Sequence, residues 1–87
     1  MAESLQILIA DENPDFVLLL KDLFTTISDV HVQSVARSGA MLVAKIKSAC
    51  PDVIFLDLTP GMGGLKMVDE IKSLQPQLNI IITYHPE

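Results

Sequence analysis

The sequence predicts an α/β domain built on a parallel sheet, and three observations predict it. Short runs of branched apolar residues alternate with segments of helical periodicity. The connections between them are brief and rich in turn residues, and the inner runs are apolar on both faces, as strands covered by helices on either side must be. The order is strand then helix, three times over, followed by a strand. Parallel strands linked through helices make right-handed crossovers, so helices are expected on both faces of the sheet.

Leu5-Gln6-Ile7-Leu8-Ile9-Ala10 is a mostly apolar run that ends abruptly at Asp11-Glu12-Asn13-Pro14, which reads as a buried strand meeting a loop. Asn13 can cap the next helix and Pro14 suits its first turn. Phe16, Leu19, Leu20, Leu23, Phe24 and Ile27 then recur at helical spacing, and the helix is expected to end near Ser28-Asp29. Val30 to Val35 alternates apolar and polar residues, the mark of a strand with one less buried face, and belongs at the sheet edge. A second helix is expected from about Gly39 to Ala49.

Pro51-Asp52 breaks the chain before Val53-Ile54-Phe55-Leu56, a central strand that is apolar on both faces and ends on a lone acid, Asp57. Thr59 to Gly64 is a loop of turn residues. Leu65 to about Leu74 resumes helical spacing through Val68, Ile71 and Leu74. After the turn at Gln75-Pro76-Gln77-Leu78, Asn79-Ile80-Ile81-Ile82 is another buried strand with Thr83 at its end.

Composition narrows the functional classes. Eighty-seven residues suffice for one small domain with a single core. The net charge is −5 and the six basic residues are scattered, which argues against a nucleic-acid partner, since such binding rests on clustered Lys and Arg. The longest apolar runs, such as Phe16 to Leu20, are too short to cross a membrane. Glu3 stands where a secretory signal would carry positive charge, so a soluble, cytoplasmic chain is expected. Cys50 has no partner for an internal disulfide and no metal-ligand spacing.

In parallel α/β sheets the ligand site lies beyond the carboxyl ends of the strands. That rule gathers Asp11, Glu12, Asp57 and Thr83 at one end of the sheet. Neighbouring strands lie about 4.8 Å apart, so acids ending strands one and three converge if those strands are adjacent. Carboxylates that close repel and raise one another's pKa unless a cation stands between them; Mg²⁺, a hard ion with oxygen ligands, is the natural choice. Spacing alone leaves open that Asp11 and Glu12 are solvated loop acids, that Asp57 is an ordinary strand-end acid, and that Thr83 is a β-branched strand residue. A charge directly after four buried residues must nonetheless reach water or find a partner.

These residues carry a resemblance. The acidic pair Asp11-Glu12, Pro14 opening the first helix, Ala36-Arg37-Ser38-Gly39, Pro51 to Asp57, Pro60-Gly61-Met62, Gly64 and Thr83 together resemble the receiver domains of two-component response regulators. The resemblance covers essentially the whole chain. It implies a flavodoxin-like three-layer sandwich with strand order 2-1-3-4, and a signalling module rather than an enzyme. It further implies that Asp57 is the phosphoacceptor, taking a phosphoryl group from a histidine kinase or phosphotransfer protein to switch a downstream output. Glu12 and Asp57 would bind Mg²⁺, Asp11 would act through water, and the backbone carbonyl of Thr59 would add an oxygen; Thr83 would contact the phosphoryl group.

The chain departs from the family pattern in three places. The acidic pair is Asp-Glu where Asp-Asp is commonest. Gly63 stands where many members carry Asp, from which greater loop flexibility is expected. After Thr83 only Tyr84-His85-Pro86-Glu87 remain, whereas the resemblance implies a further helix, a fifth strand followed by a lysine, and a last helix. Residues 1–87 are therefore expected to form a partial receiver domain, strand one to strand four, with an exposed fourth strand and an incompletely covered first helix through which copies of the chain self-associate. A nucleotide- or flavin-binding domain is the rival of similar topology, but the acids after strand one would repel phosphate. A receiver-like fragment acting only as a protein–protein interaction module is the alternative.

Overall fold

The computed structural model describes residues 4–85. Four parallel strands, β1 (Leu5–Ala10), β2 (Val30–Ala36), β3 (Val53–Asp57) and β4 (Asn79–Thr83), form one sheet in the order β2-β1-β3-β4. Helix α1 (Pro14–Thr25) packs on one face; α2 (Gly39–Ser48) and α3 (Lys66–Leu74) pack on the other. The chain thus has the flavodoxin-like three-layer arrangement, with β1 and β3 adjacent at its centre. Among the described residues no helix is long and apolar enough to cross a membrane.

Strand alternation divides the core in two. Leu8, Ala10, Ile54 and Leu56 meet Leu42 and Ile46 of α2 and Met67 and Ile71 of α3, while Ile7, Ile9 and Phe55 meet Phe16, Leu20 and Phe24 of α1. Strict alternation along β2 would send Val35 to the opposite face from Val30 and Val32. A bulge prevents this: Ile7 pairs with Val32 but Leu8 pairs with Ser34, which passes over Gln33 and returns Val35 to the α1 side. Gln33 instead donates through Nε2 to the Ala49 carbonyl at 2.6 Å, tying β2 to the end of α2.

Helix α1 starts as expected, Asn13 Oδ1 accepting from the Asp15 and Phe16 amides at 2.9 and 3.2 Å with Pro14 in the first turn. It ends three residues early. The Thr25 and Thr26 hydroxyls donate to the Asp22 and Leu23 carbonyls, competing for the acceptors that would continue the helix, and Asp29 turns the chain with φ 67°. Its inward stripe is Phe16, Val17, Leu20 and Phe24; Leu18 and Leu19 are 59% and 63% exposed, with Leu23 and Ile27 also outward. One stripe against the sheet cannot bury both sides of so apolar a helix.

The loop after β3 holds a 3₁₀ turn, Pro60–Met62, followed by Gly63 with φ 103° and Gly64 with φ 61°. Gly63 occupies the left-handed region and donates its N–H to the Pro60 carbonyl at 3.0 Å. The glycine therefore meets a backbone requirement in a bonded turn. β2 and β4 are the sheet edges, and on β4 Ile81 and Ile82 are 46% and 44% exposed.

Candidate functional site

Parallel pairing brings the ends of β1, β3 and β4 to the same rim of the sheet. Ala10 pairs with Leu56 and Asp57 pairs with Thr83, so Asp11 follows directly beside Asp57, and Thr83 lies across from it. Asp57 stands two residues beyond Phe55, which faces α1, and the alternation of β3 puts it on that same face. Asp11 and Asp57 are 1% and 4% exposed, unusually buried for carboxylates. The strands that carry them are apolar up to the acid, so the acids arrive at the rim of the core without a hydrated surface around them.

The partners of the two acids differ. Asp11 is hydrogen-bonded at both oxygens: Oδ1 accepts from the Asn13 N–H at 2.8 Å, and Oδ2 lies 2.8 Å from Nε2 of His85, which donates to it. Asp57 is not. Its Oδ1 is buried without a hydrogen-bond partner among the described residues, with the His85 Nε2 at 3.9 Å. Burial pushes the Asp57 carboxyl above its ordinary pKa. The charge of Asp11 adds to the rise, His85 opposes it, Glu12 adds further and the Leu58 N–H opposes. His85 is raised in turn, first by its hydrogen bond to Asp11, which outweighs its partial desolvation.

The remaining expected site residues are placed less uniformly. Thr83 is half-buried at the end of β4 and in register with Asp57. Glu12 is exposed, in the bend that follows β1, and stands outside the cluster of Asp11, Asp57 and His85. Its carboxylate lies over Gly61: a Cβ there would sit 1.8 Å from Glu12 Oε1, so a larger residue at 61 would displace the Glu12 side chain from this position. The Thr59 carbonyl, expected as a metal ligand, accepts from the Met62 and Gly64 amides at 3.1 and 2.9 Å, and both lone pairs are spent inside the loop. In this conformation it is not free to ligate. The Thr59 hydroxyl, by contrast, is buried and unpartnered.

His85 is the site residue that sequence reasoning missed. It follows Thr83 by two positions, and its ring sits edge-on against Phe16 with centroids 4.4 Å apart and planes at 76°. A histidine two residues past the end of a strand that delivers a site threonine was the available signal. Two buried acids with a raised carboxyl and an orphaned oxygen are what a divalent cation would stabilise, so the residues present fit one.

Comparison with known proteins agrees with this arrangement. A family model described as the response regulator receiver domain matches residues 7–85. The chain is 32% identical over 78 residues to the chemotaxis protein CheY of Thermotoga maritima and 33% identical over 78 residues to CheY of Bacillus subtilis. Each match covers 88% of this chain, which spans 64% of the length of each CheY protein. The signal receiver domain of a NarL response regulator from Mycobacterium tuberculosis superposes with a TM-score of 0.85 at 26% identity, over 98% of this chain and 70% of that one.

Proposed function

The chain belongs to the response regulator receiver domain family, and from that membership we propose that Asp57 accepts a phosphoryl group from a histidine kinase or phosphotransfer protein in two-component signalling. The observation that carries the reading is the Asp57 carboxylate, buried at the sheet rim with Oδ1 unpartnered. Both Asp11 oxygens are engaged in hydrogen bonds, whereas Asp57 Oδ1 has no partner among the described residues. It attacks phosphorus, the phosphorus–nitrogen bond of the donor phosphohistidine breaks, the imidazole departs, and an acyl phosphate remains.

Asp11 and Asp57 would hold Mg²⁺, with the exposed Glu12 adding negative charge nearby. The ion, when bound, supplies the positive charge that lets an anionic phosphoryl group approach a carboxylate. Thr83, across the register, would donate its hydroxyl to a phosphoryl oxygen and so couple the modification to β4. Switching of a downstream output and a cytoplasmic setting belong to the same proposal.

Acetyl phosphate and Mg²⁺ should label the wild-type chain slowly at one position, read by mass spectrometry of the intact protein and its peptides. Asp57→Asn should take up no label at that peptide. Equal labelling of the variant would place the acceptor elsewhere.

The exposed apolar surfaces favour a second, interaction role. The β4 edge leaves backbone donors and acceptors unpaired beside Ile81 and Ile82, and α1 presents Leu18, Leu19 and Leu23 outward. A second copy of the chain would pair with the one and cover the other, so self-association of the 87-residue chain is part of the proposal. Light scattering at micromolar concentration should show more than the monomer mass. A monodisperse monomer with cooperative unfolding would refute it.

A further inference from the structure

His85 brings a nitrogen into a rim otherwise built of oxygens. Asp11, Asp57 and His85 each offer one ligand atom, and these atoms lie within 4.8 Å of one another. The His85 Nε2 is 2.8 Å from Asp11 Oδ2 and 3.9 Å from Asp57 Oδ1. We propose that Asp11, Asp57 and His85 form a mixed nitrogen and oxygen site for a borderline transition ion, Zn²⁺ being the type, with Nε2 of His85 as the third ligand. The inference builds on the phosphoacceptor reading in placing a cation between Asp11 and Asp57, and goes beyond it in the ion's identity and in the role of His85.

Geometry supports the assignment first. Zinc bonds nitrogen and carboxylate oxygen at about 2.0–2.2 Å, so atoms sharing one ion lie about 3 to 4 Å apart. The His85–Asp57 separation of 3.9 Å lies in that range and the His85–Asp11 separation of 2.8 Å just below it, so seating an ion requires that hydrogen bond to open. The second observation is the state of Asp57 itself. Asp57 is almost fully buried and its Oδ1 has no partner among the described residues, an arrangement that a ligand would complete.

Supporting contacts fix the other two ligands. The Asn13 N–H holds Asp11 through Oδ1 and leaves Oδ2 to point at the site, while Phe16 sets the plane of the His85 ring. Imidazole suits zinc, copper and nickel, whereas magnesium prefers carboxylate, carbonyl and water oxygens. Three protein ligands leave a fourth position open to water.

The test uses the full 87-residue chain without a histidine tag, stripped of metal by chelator. Titration calorimetry with Zn²⁺ and with Mg²⁺ compares wild type with His85→Gln, which keeps an amide donor for Asp11 but removes the ligand nitrogen. Zinc affinity should fall about tenfold or more while magnesium affinity changes less than about twofold, as nitrogen ligation to the softer ion alone requires. The ¹⁵N signals of the His85 ring should move on adding zinc, and those of exposed His31, on β2, should not. Co²⁺ in place of zinc should give a visible absorption spectrum that His85→Gln alters.

Equal zinc affinity in wild type and His85→Gln, or movement of the His31 signals instead, would overturn the proposal. So would a wild-type chain that binds magnesium and labels at Asp57 but does not bind zinc, and that result would leave the phosphoacceptor reading standing. Zinc binding through His85 in a chain that never labels at Asp57 would support the metal site and refute the phosphoacceptor.

Discussion

Asp57→Asn is expected to stabilise the metal-free domain at neutral pH by on the order of 1–3 kcal/mol, because it removes a buried charge whose desolvation costs at least that much. Asparagine has nearly the same volume, so the packing against Phe55 and Thr83 is kept while the charge facing Asp11 is removed. For a domain of this size each kcal/mol moves the melting temperature by about 4–8 °C, so the effect is large.

The sign with pH follows from the raised carboxyl. Asp57 holds its proton in the fold to a higher pH than in the unfolded chain, where the ordinary value is 3.8. Its contribution is therefore most favourable below that value and is lost as pH rises through the folded pKa. The advantage of Asp57→Asn should vanish in acid and grow through the carboxylate range. His85 acts in the same direction at higher pH: its raised pKa adds stability that is present below the ordinary 6.5 and lost as pH rises through the folded value. Asp57→Asn keeps most of this second slope, because the larger cause is the Asp11 hydrogen bond, and His85→Gln should flatten it. Thermal melts in chelator across the pH range check both; a lower melting temperature for Asp57→Asn at neutral pH would show that the Asp57 charge is already satisfied.

The fold was legible because its signals are local and mutually consistent. β1, β3 and β4 are short apolar runs ending at an acid or a threonine, and α1 and α2 start at side-chain caps, Asn13 and Ser38. The helix end at Thr25 was harder, since Thr25 and Thr26 continue the composition of a helix while their hydroxyls draw away its last carbonyls. The bulge at Gln33 was visible only as a broken alternation, two polar residues side by side before Val35. In the site, Asp11 and Asp57 were legible because a strand delivers each of them. The position of Glu12 over Gly61 was not, because it depends on the bend that follows β1. The Thr59 carbonyl depends on loop hydrogen bonds that no residue type announces, and His85 depends on the path of two residues past a strand end, which only the packing of its ring on Phe16 decides.

Millimolar Mg²⁺ is expected to raise the melting temperature of the wild-type chain, and the variants should divide that response unequally. An ion that binds the folded state alone contributes about 1.4 kcal/mol when present at ten times its dissociation constant, enough to resolve by calorimetry or circular dichroism. The increment on adding Mg²⁺, measured for each variant against its own metal-free melt, separates binding from the stability gain that loss of the Asp57 charge brings. Asp57→Ala should abolish the increment, since it removes one of the two buried carboxylates between which the ion would sit. Glu12→Ala should only reduce it: Glu12 lies over Gly61 on the exposed side and must rotate to reach the ion, so its part is mainly a charge at longer range. The double variant Glu12→Ala/Asp57→Ala should show none. An undiminished response in the double variant would move the ion away from this rim altogether. Equal loss in the two single variants would instead mean that Glu12 turns inward to ligate the ion as closely as Asp57 does.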